Sequence, residues 1–226
     1  PIQNDKWIPQ KNFFSYFKRA GYYTGAFYGS SSKYREFYKL FKQPYCDVFR
    51  DKYSEDFKSR PDEETPDEKA LHMMFKEMDR LDGKPFAFFY RTDNGHWPYI
   101  SRRGKRSMPD LERYKLALLE GDQFLGEIIS ELKTRGIFKD TIIVIVGDHG
   151  EAFQQHENLR IHTVGVYEEL VRVPFLIAYP RYISKSNVVP HPTSHTDILP
   201  TLLDMVDVSG DDLPEFEGYS LLRELP

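Results

Sequence analysis

The sequence predicts an α/β fold with a mainly parallel central sheet and helices on both faces. Three observations predict it. Helix-period stretches alternate with short β-rich runs along the chain, the pattern left by strand–helix–strand crossovers. Asp140 to Val146 (DTIIVIV) is a continuous β-branched run, as expected of a strand in the centre of a parallel sheet. Pro109 to Arg135 carries Leu111, Tyr114, Leu118, Leu125, Ile128, Ile129 and Leu132 on one stripe, long enough to cover a sheet face.

The remaining elements follow in order. Asn12 to Gly21 (NFFSYFKRAG) reads as a short helix, with Asn12 placed to cap it and Gly21 to end it. Tyr23 to Gly29 then reads as a strand. Residues 43–68 hold Pro44, Pro61 and Pro66 among many charges, so most of this stretch is expected to be loop. Asp67 to Leu81 is helical in period, with Leu71, Met74, Phe75 and Met78 on one face as core packing. Lys84 to Arg91 and Val173 to Tyr179 read as buried strands. Thr196 to Val206 reads as a helix with Pro200 in its first turn, where proline is tolerated. Asp122 falls on the stripe of the longest helix and, if buried, needs a partner. No repeat or linker interrupts the pattern, so residues 1–226 read as one domain.

Composition narrows the function. Lys plus Arg number 31 against 35 Asp plus Glu, a net charge of −4, which argues against a general nucleic-acid binder. Aromatic residues make up 15% of the chain, too many for a disordered one. Cys46 is the only cysteine, which excludes an internal disulfide and a cysteine-based zinc site. No apolar run approaches the roughly 20 residues a membrane span needs. The chain opens at Pro1 without an initiator Met, and is expected to be a section of a longer protein.

In open α/β sheets, ligands gather beyond the carboxyl ends of the strands. The strand ending at Val146 is followed by Gly147-Asp148-His149-Gly150-Glu151, with His156 and His162 further along the same loop. The strand ending at Arg91 is followed by Gly95-His96-Trp97-Pro98-Tyr99. An Asp-His pair between glycines at a strand tip suits a divalent cation, because carboxylate and imidazole are both ligands and glycine lets the backbone come close. Read alone, the same tripeptide is equally a turn in which Asp148 bonds its own backbone.

A wider pattern settles that choice. The run from Ile143 to Pro180, with Asp-His-Gly-Glu, His162, Tyr167-Glu168-Glu169 and Arg172-Val173-Pro174, resembles the second metal-binding motif of the sulfatase and phospho-transferase branch of the alkaline phosphatase superfamily. Ala20-Gly21-Tyr22-Tyr23-Thr24, His96-Trp97-Pro98-Tyr99, Asp197-Ile198-Leu199-Pro200-Thr201-Leu202-Leu203 and Gly218-Tyr219-Ser220-Leu221-Leu222 match further family segments in the family's order. The resemblance implies an alkaline-phosphatase-like fold truncated at both ends. It implies a metal-dependent hydrolase or transferase acting on a phosphate or sulfate ester, through a covalent intermediate on a nucleophile outside this chain. Asp148 and His149 would be metal ligands, while His96 and His162 would be catalytic, touching the transferred group or the leaving group.

Zinc or manganese is favoured over calcium or magnesium because His149 offers nitrogen. His156 is expected in solvent or behind the ligands, His195 at a helix cap or in packing, and His72 and His191 at the surface. Cys46 lacks the Cys-x-Pro-x-Arg context of a cysteine converted to formylglycine, and residues 1–226 alone are expected to be inactive. In place of the Gly-Lys-Trp-His of true sulfatases the chain has Gly29-Ser30-Ser31-Ser32-Lys33-Tyr34-Arg35, closer to membrane-anchored phosphoglycerol and phosphoethanolamine transferases. That makes a lipid headgroup a candidate partner and the basic run Arg102, Arg103, Lys105 and Arg106 a candidate anion attractor. The resemblance places the protein outside the cytoplasm, reaching a membrane only through a missing N-terminal segment. The alternative is a non-catalytic sulfatase-like module binding lipid headgroups or a protein.

Overall fold

The computed structural model describes residues 12–41, 44–61, 63–156, 162, 165–208 and 213–224, with the side chains of residues 34–37 outside that set. It is a mixed α/β structure whose chain divides into two compact units between Ile128 and Ile129. Among the described residues no helix is long and apolar enough to cross a membrane.

In the first unit, helix α1 (Phe13–Arg19) begins at a reciprocal cap, with Asn12 Oδ1 accepting from Ser15 N–H and Ser15 Oγ accepting from Asn12 N–H. It leads into β1 (Tyr23–Tyr28), the middle strand of a three-stranded parallel sheet of order β2-β1-β3. Strand β3 (Phe86–Arg91) pairs with β1 in the register Tyr23↔Phe86 through Tyr28↔Arg91. The partner on the other edge, β2 (Val48–Arg50), and the short helix α2 (Glu55–Lys58) lie inside the proline-rich stretch read as loop. Three residues are too few to show a period, so β2 is defined by its pairing, Gly25↔Val48 to Phe27↔Arg50. Thr24, fully buried, ties the starts of the two strands through bonds of 3.0 and 2.9 Å to Asp47, whose carboxylate also takes Lys18 Nζ at 2.7 Å. This is the structural content of the Ala20–Thr24 motif.

Helix α3 (Pro66–Asp79) is capped by Thr65 with a reciprocal bond from Glu68 and carries Pro66 at its first position. Leu71, Met74 and Met78 of the predicted apolar face are buried, joined by Ala70 and Met73, while Phe75 is half-buried. The middle turns of α4 (Asp110–Thr134) depart from expectation. Ala117, Glu120 and Phe124 are buried there, while Leu118 is 50% exposed and Asp122 faces solvent. The helix is rotated relative to its apolar count because Asn94 Nδ2 donates to Ala117 O at 2.7 Å and Glu120 accepts from Arg102 N–H at 3.2 Å. Asp122 therefore needs no buried partner.

In the second unit, among the described residues, β4 (Ile143–Val146) is not the centre of a parallel sheet. Among the described residues it pairs only with β5 (Phe175–Ala178), antiparallel, from Ile143↔Ala178 to Val146↔Phe175. Its β-branched run does not tell which partner it takes. Helix α5 (Glu168–Val171) precedes β5. Helix α6 (Ile198–Met205) follows a single turn capped by Ser194. Buried Asp197 accepts from Ser194 N–H at 2.7 Å and Tyr219 N–H at 3.0 Å, and Thr201 Oγ1 accepts from Leu221 N–H at 2.9 Å. The last two matched motifs are thus one structural clasp.

Candidate functional site

The loop leaving β4 brings together three of the four candidate side chains. His149 N–H donates to Asp148 Oδ1 at 3.1 Å, and His149 Nε2 lies 3.9 Å from Asp148 Oδ2. His149 Nδ1 sits 2.8 Å from Gly150 O. A carbonyl only accepts, so Nδ1 carries a proton, and in the neutral ring the lone pair is on Nε2, the nitrogen nearer Asp148 Oδ2. The rings of His149 and His162 stack with centroids 3.8 Å apart at 29°. His162 Nδ1 is 3.3 Å from Oε1 of Glu151, a carboxylate 8% exposed, which puts the His162 lone pair on Nε2 by the same argument.

Several contacts hold this loop in place. A Cβ on Gly150 would stand 1.8 Å from Glu169 O, so only glycine lets the loop lie against α5 while Gly150 N–H donates to Leu170 O at 2.8 Å. Ala152 and Leu170 bury each other beneath it. His195 Nε2 donates to Gly147 O at 2.7 Å, fixing the carbonyl just before Asp148. His195 is thus neither a cap, which Ser194 supplies, nor core packing. His156 is a tether: Nε2 is 2.9 Å from Glu169 Oε1, and the ring stacks on Tyr167 at 3.8 Å. Sequence reasoning misses both roles, because each spans a sequence gap that no period reports.

The fourth candidate, His96, belongs to the first compact unit, in the loop after β3. It is exposed, and its Nδ1 is 2.7 Å from Trp97 O, which again assigns the lone pair to Nε2. The Trp97–Pro98 peptide is cis, and Tyr99 follows in the left-handed region (φ 57) at 2% exposure, edge-on to Tyr114. The loop is anchored by a residue the sequence does not single out. Asp67, 2% exposed, accepts from Asp93 N–H at 2.9 and 3.0 Å and from Asn94 N–H at 2.7 Å. Burial pushes its carboxyl up to about 7, outweighing those donors, with Asp93 and Glu120 adding repulsion. Its place in a helical first turn disguises it as an ordinary dipole-stabilising acid. Gly29 leaves it room, since a Cβ there would lie 2.3 Å from Asp67 Oδ1.

Other expectations resolve locally. Cys46 is 2% exposed, its Sγ lies 3.0 Å from Val48 O, and burial pushes the thiol up to about 12, the opposite of an activated cysteine. His72 is half-buried, with Nδ1 2.7 Å from an Arg60 nitrogen and 3.3 Å from Glu64 Oε1, rather than a plain surface residue. Within the basic run, Arg102 is paired with Glu68. The side chains of Tyr34 and Arg35 lie outside the described residues. Among the described residues, no group of three or more His, Cys, Asp or Glu is arranged around one point as a complete metal site.

The family model described as Sulfatase matches residues 1–208. Arylsulfatase K of Gallus gallus is 38% identical over 109 residues, covering 48% of this chain and 19% of its own. The Ulvan-active sulfatase of Formosa agariphila is 31% identical over 122 residues, covering 54% and 24%. The chain thus spans about a fifth of the length of the curated relatives it matches. Among solved structures, the phosphonate monoester hydrolase of Agrobacterium radiobacter superposes with a TM-score of 0.64 at 18% identity, over 95% of this chain and 61% of that one. A Vibrio parahaemolyticus protein of the alkaline phosphatase superfamily gives 0.60 at 22% identity, over 86% and 47%. The structures speak for the fold and the family model for membership: the chain belongs to the sulfatase family.

Proposed function

We propose that the protein is a divalent-metal-dependent enzyme that hydrolyses or transfers sulfate or phosphate esters, with Asp148 and His149 holding the ion. The observation that carries the reading is the 3.9 Å separation of Asp148 Oδ2 from His149 Nε2, the nitrogen that holds the lone pair in the neutral ring. Two donors about 2.0–2.2 Å from one ion can stand that far apart, so the residues present fit part of a coordination shell. A bound ion would neutralise charge on the ester oxygens and favour ionisation of an attacking hydroxyl. Zinc or manganese suits the nitrogen donor better than calcium or magnesium.

The protein's own groups do the rest. Glu151 holds His162 Nδ1–H, so Nε2 can take a proton or, once protonated, donate to a transferred oxygen. Trp97 O fixes the His96 ring in the same sense, suiting it to protonate a leaving group. We place the nucleophile, which forms the covalent intermediate, outside these 226 residues; the buried Cys46 is unsuited to it. The names of the sulfatase relatives support sulfate esters as first choice. The resemblance to family members that work outside the cytoplasm supports the same location here.

Release of 4-nitrophenol from its sulfate and phosphate esters by the full-length protein, with zinc, manganese, calcium or magnesium added, tests the reading. Turnover should depend on the metal and fall roughly hundredfold or more in Asp148→Asn/His149→Ala. A folded, metal-supplied protein that cleaves neither ester would instead support a non-catalytic binding module.

A further inference from the structure

The loops leaving the C-terminal ends of β1 and β2 carry a cluster unused by the chemistry above. Lys33, after β1, holds its Nζ 4.3 Å from the centroid of the Tyr53 ring. Lys52, after β2, holds its Nζ 5.4 Å from the same ring. Ser31 Oγ donates to Tyr53 Oη at 3.3 Å, and the ring is 44% exposed. One ammonium beside a surface phenol is a common contact. Two drawn to the same ring repel each other. Asp51, in the same loop as Tyr53, sets one negative charge against the two ammonium groups, with its oxygens held by the Ser32 hydroxyl at 2.6 Å and by Tyr53 N–H at 2.9 Å.

These contacts show that the cluster is built into the fold. Ser32 is 2% exposed and Asp51 5%, so their bond is a buried staple between the two loops. Breaking one side of such a bond strands a buried polar group. Lys52 N–H donates to Ser30 O at 3.3 Å, a second tie between the same loops. Asp51 N–H donates to Ser54 Oγ at 3.0 Å, closing the turn that presents Tyr53. The buried tier is therefore held by hydrogen bonds, and the exposed lysines are carried beside it. The position matters as well: the carboxyl edge of parallel strands is where α/β sheets bind ligands, and the β3 loop with His96 leaves the same edge.

We infer that Ser31, Lys33, Lys52 and Tyr53 form an anion-binding subsite for a second anionic substituent of the ester substrate, which makes polyanionic esters the preferred substrate class. The reaction in this inference rests on the proposed function; the affinity for an anion does not. Ammonium and hydroxyl donors give charge-assisted bonds to a sulfate, sulfonate, phosphate or carboxylate.

The test uses the full-length protein in two arms. Calorimetry compares 1,3-benzenedisulfonate with benzenesulfonate, neither of which carries a cleavable ester. The disulfonate should bind roughly tenfold more tightly, an advantage lost in Lys33→Ala/Lys52→Ala and largely kept in Lys33→Arg/Lys52→Arg. In the kinetic arm, the kcat/KM preference for a ring-sulfonated aryl sulfate over 4-nitrophenyl sulfate should fall about tenfold in the double alanine variant, with the loss in KM. Equal binding of the two probes by the unaltered protein, or an advantage that survives the alanine variant, overturns the subsite. Inorganic sulfate displacing the disulfonate at equal concentration assigns the cluster to a free anion and overturns the substrate class. Intact disulfonate selectivity without turnover of either ester leaves the subsite standing and breaks the proposed function.

Discussion

The two compact units are held together by different physics. Around β1, packing dominates: Phe27 and Leu71 are fully buried, Ala26 is 1% exposed, and Phe88 meets Phe27 edge-on at 5.1 Å. Around β4 and β5, Val146 is 38% and Leu176 53% exposed, and the ordering contacts are polar or backbone ones. These are Gly150 against α5, His195 on Gly147 O, and the Asp197–Thr201 clasp. The contrast teaches where each region is fragile. The parallel sheet should suffer from cavities, and the loop with the metal candidates from any atom added at its close contacts.

Side-chain trimming breaks or confirms the contrast most strongly. Leu71→Ala should cost about 2–5 kcal/mol, whereas Leu176→Ala should cost under about 1 kcal/mol; urea midpoints at constant slope measure both. Similar losses would erase the distinction.

Acidity sharpens it next. Asp67 has a folded value of about 7, against roughly 3.9 in an unfolded chain. Folding therefore takes up a proton between those values. The contribution is complete below about pH 4, declines as pH rises, and is lost by about pH 7. Stability of the unaltered protein should fall over that interval by more than in Asp67→Asn, which cannot titrate. Equal slopes in paired denaturation curves would contradict the burial argument.

Glycine replacements follow. Gly150→Ala forces backbone apart at a 1.8 Å contact and should destabilise by roughly 1–3 kcal/mol. Gly126→Ala, in α4 with nothing within 4 Å, should stabilise by about 0.5–1 kcal/mol. Thermal melts distinguish the signs. The smallest effect is chemical: native Cys46, 2% exposed, should stay unlabelled by a disulfide reagent until denaturant is added.

What was legible in the sequence follows the same division. Elements that carry their own signal, such as the Asn12 cap, the apolar face of α3 and Pro200 in the first turn of α6, read correctly because the information is local. Partner choice did not read: β4 takes an antiparallel neighbour, and β2 hides in a charged stretch, because pairing is decided across long sequence separations. The place of Asp148-His149 directly after a strand was legible, since β4 ends at Val146. Glu151, His195 and Asp67 were not, since a carboxylate or imidazole that orients something else looks like any other until its partner is seen.

The central claim is that Asp148 and His149 hold a divalent ion at the end of β4. Metal content of the full-length protein, after dialysis against zinc or manganese and removal of loosely bound ion, tests it most directly. The unaltered protein and a control at a histidine outside the β4 loop, His191→Ala, should retain the ion in the same stoichiometry, and Asp148→Asn/His149→Ala should lose it. Stoichiometric ion in the folded double variant would place the metal elsewhere and contradict the account.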